Sequence, residues 1–350
     1  MRLLICTQVV DEHDPRLSFV TGWLREFSAH FERIQVVCLK RGAFDPPTNV
    51  AVQSLGKEIM HASVVRIVSR LRYAGRFMRA VWRLRDEYDV VLVHMNQEYV
   101  LLAGILWLLM GKRVYLWRNH YAGSYLTLVA SLFCTKVFCT SRYSYTRRFK
   151  NTVIMPVGVE VEAFARAQGS RVPRSILSFG RVSPSKHVDV LIEAVRTLHN
   201  QTIPFSLSIY GDSLPEEGEF LESLRRAVAT AHLDGDIVFE GGVPHDAAPQ
   251  VFARHDVFVN LSRSGMLDKT IFEACAAGCV VLAVSEDFKA VVDERLHIAS
   301  LNPSHVAERI RAVLAMSSDE KDRIREGLRR LSQEHSIGNL ARALVSEMSV

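Results

Sequence analysis

The stretch from residue 175 to residue 191 reads SILSFGRVSPSKHVDVL and decides the fold of the second half of the chain. Its apolar start predicts a buried strand, Gly180 turns the chain, and a helix is predicted to begin after Lys186. Arg181 and Lys186 then lie at a strand end beside a helix N-terminus, where cations and unpaired backbone N–H groups suit a diphosphate. The stretch is not a P-loop, because Ser185 stands where that motif needs Gly. A surface loop with two solvated cations is the alternative interpretation.

The same alternation of strand and helix repeats on both sides of this stretch. Strands are predicted for example at 3–6, 34–39 and 89–93 in the first half, and at 205–210 and 257–259 in the second. These strands are continuously apolar, which indicates parallel sheets that are covered by helices on both faces. The fold class that follows is α/β, with two Rossmann-like, doubly wound domains.

The length of 350 residues suggests about two domains. We predict an N-terminal domain over 1–159, a polar and irregular linker over 160–174, and a second domain over 175–332. A last helix, within 333–350, is predicted to return to the N-terminal domain. Two doubly wound domains of this kind predict a ligand in the cleft between them, at the carboxyl ends of the strands.

Composition excludes several classes of protein. Hydrophobic residues make up 48% and charged residues 23%, so a largely disordered chain is excluded. The net charge is only +5, which excludes a heavily basic tail protein and permits anionic ligands. We find no signal peptide, and the longest apolar run, 99–110, is too short to span a bilayer. It is predicted to form a buried helix between strands, with a monotopic membrane contact as the alternative. The six cysteines lack zinc-site spacing, so we predict reduced thiols in a cytoplasmic protein.

A second informative segment, residues 262–278, reads SRSGMLDKTIFEACAAG. Gly265 allows a close approach of the backbone, and a helix is predicted to begin at Thr270. Glu273 is predicted in the first turn of that helix. Its carboxylate can accept hydrogen bonds from a ribose diol, as in dinucleotide-binding folds, or it can simply offset the helix dipole.

These segments, in this order, resemble the donor domain of the retaining glycosyltransferases of family 4, which have the GT-B fold. That family has a G-R-x4-K loop, here from Gly180 to Lys186, followed by a glycine-bearing strand end and an F-x-G-x-V segment, which ends here at Val243. It closes with E-A-x-A-x-G, here 273–278. The segment 155–160 is similar to the proline- and glycine-bearing stretch between that family's two domains. This chain departs from the pattern at Gly265, which replaces the first Glu of the family's E-x7-E signature.

The resemblance implies roles for individual residues. Arg181 and Lys186 would bind the diphosphate, Glu273 the ribose hydroxyls and Val243 the base, while His120 would lie near the transferred sugar. Asp268 would replace the missing sugar contact, and Lys269 would add a third phosphate contact. The catalytic residues so implied are Arg181, Lys186 and His120, and the donor-binding residues are Gly180, Arg181, Lys186, Gly211, Val243, Asp268, Lys269, Thr270 and Glu273.

The function that follows is transfer of a sugar from a nucleotide-sugar donor to a glycan or lipid-linked acceptor, with retention of anomeric configuration, in cell-envelope polysaccharide synthesis. No cofactor or metal is expected, since no D-x-D pair follows a strand. His94 and Asn96, at another strand end, are the acceptor-side candidates, although a lone His in such a place is often structural. A nucleotide-sugar epimerase of the GT-B fold, a dinucleotide-dependent oxidoreductase and a non-catalytic binding module are the alternatives.

The surplus positive charge has a second location besides the phosphate loop. Residues 64–88 predict a helix with seven arginines interleaved with apolar residues. Such a helix can lie on an anionic membrane surface, which would place the protein at the inner face of the cell membrane. The alternative is a solvated helix face over an ordinary core. No nucleic-acid-binding pattern is visible.

Overall fold

A computed structural model of the chain describes residues 1–14, 16–58 and 66–349, and side chains at 66–68 are excluded from the description. The chain divides into two compact units, one of residues 1–158 with 337–350 and one of residues 159–336. Each unit is a parallel-sheet α/β structure, so the predicted fold class is confirmed. The last helix belongs to the first unit, as the returning-helix prediction requires.

Twelve strands and thirteen α-helices make up the described structure. The strands are β1 (Arg2–Val10), β2 (Arg33–Arg41), β3 (Val50–Ser54), β4 (Val90–His94), β5 (Arg113–Trp117), β6 (Lys136–Cys139), β7 (Thr152–Ile154), β8 (Val172–Phe179), β9 (Ser206–Tyr210), β10 (Ile237–Gly241), β11 (His255–Asn260) and β12 (Val280–Ala283). The helices are α1 (Phe19–Ser28), α2 (Arg66–Arg83), α3 (Gln97–Leu109), α4 (Tyr125–Leu132), α5 (Val161–Ala165), α6 (Val188–Asn200), α7 (Gly218–Thr230), α8 (Ala248–Arg254), α9 (Lys269–Ala277), α10 (Glu286–Lys289), α11 (Pro303–Leu314), α12 (Ser318–Glu334) and α13 (Ile337–Ser349).

The first unit has a seven-stranded parallel sheet in the order β3-β2-β1-β4-β5-β6-β7. Helices α1 and α13 cover one face, where Trp23 and Leu340 belong to one apolar core. Helices α2, α3 and α4 cover the other face, where Phe77, Trp107 and Ala130 belong to a second core. The apolar strands are therefore buried on both faces, as their continuous hydrophobicity predicts.

The second unit has a five-stranded parallel sheet in the order β10-β9-β8-β11-β12. Residues 160–174, which the sequence suggests as a linker, lie within this unit. They include the short helix α5, whose buried Phe164 ring packs on Phe252 of α8 at a centroid distance of 5.6 Å. The polar composition of 160–174 hides this anchor, because one buried aromatic residue is enough to hold a single helical turn.

Two helix predictions need correction. The predicted helix over 64–88 begins in residues outside the described ones, and its described part, α2, ends at Arg83, after which residues 84–86 form a turn. Helix α3 was predicted to be buried, but its outward side is exposed at Leu102, Ile105 and Leu109. No helix among the described residues is both long and apolar enough to cross a membrane.

Candidate functional site

Two glycines hold neighbouring loops together at the carboxyl edge of the second sheet. Gly180 follows β8 and Gly211 follows β9, with φ of +129° and +137°, values that side-chain-bearing residues rarely adopt. A Cβ atom on Gly211 would lie 2.0 Å from the carbonyl oxygen of Gly180. The Val182 N–H donates to the Asp212 carbonyl at 3.0 Å, so the backbones of both loops run side by side. Gly211 therefore leaves no room for a side chain, whereas Gly180 has open space beside it and is required by its positive φ.

The loop after Gly180 aims Lys186 at the next strand end. Residues Pro184–Lys186 form one 3-10 turn, and His187, with a φ of +54°, redirects the chain into α6. The Lys186 ammonium donates a hydrogen bond to Ser262 Oγ at 3.1 Å and forms an ion pair with Asp268. Two segments that lie about eighty residues apart in the sequence, and that both carry family motifs, therefore meet through this lysine.

Asp268 is the centre of a hydrogen-bonded network at the start of α9. As the N-cap, its carboxylate accepts from the Thr270 backbone N–H at 3.3 Å and from the Thr270 hydroxyl at 3.0 Å. It also accepts from Asn260 Nδ2 at 3.2 Å. Burial alone would raise the pKa of Asp268, but the charge of Lys186 and the donated hydrogen bonds hold it well below its usual range. Asp268 is therefore ionised in the protein without a bound donor, where it is paired with Lys186.

A second charged cluster lies beside this network within the same unit. Burial raises the pKa of Glu273 well above its ordinary value and lowers that of Lys269, and each charge partly offsets the effect on the other. Glu160 influences both groups electrostatically, and burial also lowers the pKa of His245 next to them. Glu273 is the fifth residue of α9, so the prediction that it lies in the first helical turn is wrong. Neutralising the helix dipole is accordingly a poor explanation for a buried carboxylate at this position.

The raised pKa of Glu273 predicts a pH dependence of stability. The folded state holds the Glu273 proton more tightly than the unfolded state, so the free energy of unfolding falls as pH rises from about 5 to about 7. We expect Glu273→Gln to remove part of this slope in denaturant titrations across that range. Glu222→Gln, at an exposed carboxylate of α7, is the matched control and should leave the slope unchanged. Equal slopes for the wild type and Glu273→Gln would contradict the buried-carboxylate interpretation.

Arg181 and Val243, which are also predicted to bind the donor, lie in the same unit but outside the hydrogen-bonded network of Asp268. Arg181 forms an ion pair with Glu217, with 3.5 Å between Nε and Oε2, so its charge is balanced from the loop after β9. Val243 lies just beyond β10, where the Gly242 N–H donates to Asp212 Oδ1 at 2.9 Å. The loops after β8, β9 and β10 are thus joined in sequence along one sheet edge.

The acceptor-side candidates belong to the first unit. His94 is buried, lies 3.2 Å from Thr7 Oγ1, and packs edge-on against Phe19 and Trp23, which gives it a role in packing. Asn96 accepts a hydrogen bond from Gln8 at 2.6 Å and is only partly buried.

His120 lies just beyond β5 with one ring nitrogen engaged. Its Nδ1 lies 2.9 Å from the Ala122 backbone nitrogen, and its ring stacks on Tyr121 with the centroids 4.5 Å apart. Nδ1 also lies 3.0 Å from the Ala122 carbonyl oxygen, so it can accept from the N–H or donate to the carbonyl, depending on the tautomer.

Sequence reasoning missed three residues of the donor-side unit: Asn260, Ser262 and Glu160. Asn260 is the last residue of β11, and a polar residue at a strand's carboxyl end is the signal that could have identified it. Ser262 has the same signal two residues further on. Glu160 carries no such signal, since only the packing of α5 into the second unit brings it near α9. In the described part of the chain, no group of three His, Cys, Asp or Glu side chains is arranged to hold a metal ion.

Comparisons with known proteins agree with this geometry. Residues 173–316 match the family described as glycosyl transferases group 1. The GtfA subunit of the UDP-N-acetylglucosamine–peptide N-acetylglucosaminyltransferase from Streptococcus pneumoniae is 25% identical over 170 residues, which are 47% of this chain and 32% of that protein. Mannosylfructose-phosphate synthase from Agrobacterium fabrum is 28% identical over 106 residues, which are 29% of this chain and 23% of that protein. The chain therefore matches about a third or less of these relatives' lengths.

Solved structures match the whole chain. Anabaena Alr3699/HepE, determined in complex with UDP, aligns over 100% of both chains with a TM-score of 0.78 and 16% sequence identity. WaaG, a glycosyltransferase involved in lipopolysaccharide biosynthesis, aligns over 99% of both chains with a TM-score of 0.68 and 14% identity. At these identities the likeness concerns the fold.

The two parallel-sheet units, with glycine turns after β8 and β9, give this chain the GT-B fold. Residues 173–316 of its second unit match the family of group 1 glycosyl transferases, and the resemblance indicated by the sequence motifs is confirmed.

Proposed function

We propose that this chain transfers a sugar from a nucleotide-sugar donor, most simply a UDP-sugar, to a hydroxyl group of a glycan or lipid-linked acceptor. The observation that carries the proposal is the meeting of Lys186 with Asp268 at the start of α9, close to the buried Glu273. A cation, a helix N-terminus and a carboxylate are the three groups needed for a diphosphate and a ribose. The UDP bound to the similar structure supports uracil as the base.

In this proposal, Lys186 and Arg181 stabilise the charge that develops on the departing nucleoside diphosphate. Both cations are paired with carboxylates, Lys186 with Asp268 and Arg181 with Glu217. When the donor binds, its diphosphate becomes the new anionic partner of these cations. Fixed cations in a preorganised site can supply this stabilisation without a metal ion. Because Gly180 and Gly211 have no side chains, the diphosphate can approach the backbone at these positions. Lys269 supplies a further cation.

Retention follows if the leaving group assists the attack. The acceptor oxygen forms a bond to the anomeric carbon on the same face from which the β-phosphate oxygen departs, and the acceptor proton passes to that phosphate oxygen. The bond that breaks joins the anomeric carbon to the diphosphate, which leaves as nucleoside diphosphate. Glu273 would hold the ribose hydroxyls and Val243 would face the base. Asp268 would contact the sugar where Gly265 replaces the usual carboxylate.

On the acceptor side, we propose that His120 lies near the transferred sugar, where Nε2 can form a hydrogen bond with a hydroxyl group as donor or acceptor. Asn96 is the better of the two remaining candidates, because His94 is occupied by packing. A lipid-linked acceptor would bring the chain to a membrane. The exposed Arg70, Arg72 and Arg79 of α2 support contact with anionic headgroups there.

The proposal is tested first by ligand-induced stabilisation. We expect UDP-sugars to raise the melting temperature more than GDP- or ADP-sugars, because only a ligand of the folded state stabilises it, by about 2.7 kcal/mol at a hundredfold excess over Kd. NADH is the control for the oxidoreductase alternative and should give no shift. The best donor is then incubated with and without an acceptor extract.

Three outcomes of that assay would overturn the proposal. Conversion of the donor sugar without an acceptor would favour the epimerase, and a shift with NADH alone would favour the oxidoreductase. Binding of a nucleotide without turnover of any donor across an acceptor screen would favour a binding module. Retention is read from the anomeric configuration of the product by NMR.

A further inference from the structure

The outer surface of α3 and α4 is apolar. Eight large hydrophobic side chains there are between 39% and 80% exposed, and they make up half of the sixteen such residues in the described part of the chain. We call this surface the α3–α4 face. Its residues are Leu102, Ile105, Leu108 and Leu109 of α3, and Tyr125, Leu126, Leu128 and Leu132 of α4.

The fold of the first unit does not require this apolar surface. The inner sides of the same helices supply the core through Val100, Ala103, Trp107 and Ala130, which are all fully buried. The two helices already pack closely, since a Cβ atom on Gly104 of α3 would lie 2.8 Å from the Phe133 ring. A helix that is apolar all round and yet lies at the surface is typical of a helix that contacts something apolar.

The charges around the α3–α4 face are mostly positive, and Glu98 in the first turn of α3 is the one exposed carboxylate of the two helices. Residues 99–159 contain eight Lys or Arg and no Asp or Glu. Arg142, Arg147, Arg148 and Lys150 are exposed, and they lie near the start of α4, because the hydroxyl of Tyr145 donates to the Ser124 carbonyl at 3.3 Å. On the other side of the α3–α4 face, α2 packs beside α3 and carries the exposed Arg70, Arg72 and Arg79.

We propose that the α3–α4 face inserts into the headgroup and upper acyl region of an anionic lipid bilayer, with the flanking cations on its phosphates. An apolar face between cations is complementary to such a surface. A second copy of this chain fits less well, because a two-fold interface would bring the cationic borders together with only Glu98 of α3 as a carboxylate from 97–159 to pair them. The inference goes beyond sugar transfer and does not depend on it, since it concerns α3 and α4 and is tested by binding alone.

The test uses flotation of the full chain with vesicles of phosphatidylcholine containing about one-third phosphatidylglycerol. The variant Ile105→Gln/Leu109→Gln/Leu132→Gln changes side chains that are 62%, 80% and 75% exposed, and Gln preserves helix propensity. We expect its partition coefficient to fall at least about tenfold, with an unchanged melting temperature. The control, Val172→Thr/Val238→Thr/Val291→Thr, alters half-exposed apolar residues of the second unit and should bind like the wild type.

Two further measurements identify the occupant. Arg147→Gln/Arg148→Gln should weaken binding to the anionic vesicles, and pure phosphatidylcholine vesicles should bind the wild type more weakly than anionic ones. Binding of the triple Gln variant equal to that of the wild type would overturn the proposal. The proposal would also be overturned if the wild type did not bind vesicles and was dimeric by light scattering, while the triple Gln variant was monomeric. The α3–α4 face would then be the interface with a second copy.

Discussion

Replacing Lys186 with Met should lower kcat/KM for sugar transfer by about 10²–10³-fold, because it removes a fixed cation from the position proposed for the departing diphosphate. Lys186 is held by Ser262 and Asp268 before any donor binds, so its position requires no reorganisation during the reaction. Steady-state kinetics with the donor identified by thermal shift measure the effect. Lys289→Met, at an exposed lysine of α10 that is paired with Glu286, is the matched control and should retain activity.

A loss of activity in Lys186→Met could also arise from misfolding, since the buried Asp268 would lose its ion-pair partner. The double variant Lys186→Met/Asp268→Asn removes both charges and keeps a good N-cap residue for α9. We expect it to recover most of the stability lost in the single variant while remaining inactive. Near-wild-type transfer by either variant would show that Lys186 does not act on the diphosphate.

The second large effect concerns stability. Asp268→Ala should lower the free energy of unfolding by about 2–4 kcal/mol, because it removes the ion-pair partner of Lys186, one of the two acceptors of Asn260 Nδ2 and the cap of α9. This range is below that of a fully buried ion pair, since the Lys186 side chain is about a quarter exposed. Urea unfolding followed by circular dichroism measures the change.

A matched capping variant separates the two parts of this effect. Asn302 caps α11 and accepts from the Ser304 N–H at 2.9 Å, and it is exposed. Asn302→Ala should therefore cost about 1 kcal/mol, the usual value for an N-cap. The excess loss in Asp268→Ala measures the ion-pair network. If both variants lose the same free energy, the network contributes nothing beyond capping.

The parts of this protein that local patterns determine are its secondary structure and its class. Continuous apolar runs such as 3–6 and 34–39 are buried strands, and the glycines after β8 and β9 have the positive φ that their turns require. These features depend on neighbouring residues, so they are visible in the chain itself. The order of the motifs also sufficed to indicate the family.

The boundaries of the units were less predictable. Residues 160–174 look like a linker because they are polar, and only the burial of Phe164 against Phe252 places α5 within the second unit. Helix α3 looks like a core helix because it is apolar on every side, and only its position at the surface of the first unit leaves half of it exposed. Burial depends on which elements cover a segment, and a single sequence does not contain that information.

The sequence by itself determined that Lys186, Asp268 and Glu273 belong to informative motifs, because type and spacing are local properties. The tertiary structure decided which side chains meet. Lys186 pairs with Asp268, which lies 82 residues further along the chain, whereas Arg181 pairs with Glu217. It also brought in Asn260 and Glu160, whose importance lies only in what packs against them. The physical reason is that ion pairing and desolvation act through space, over a few ångströms, whereas propensity acts along the chain.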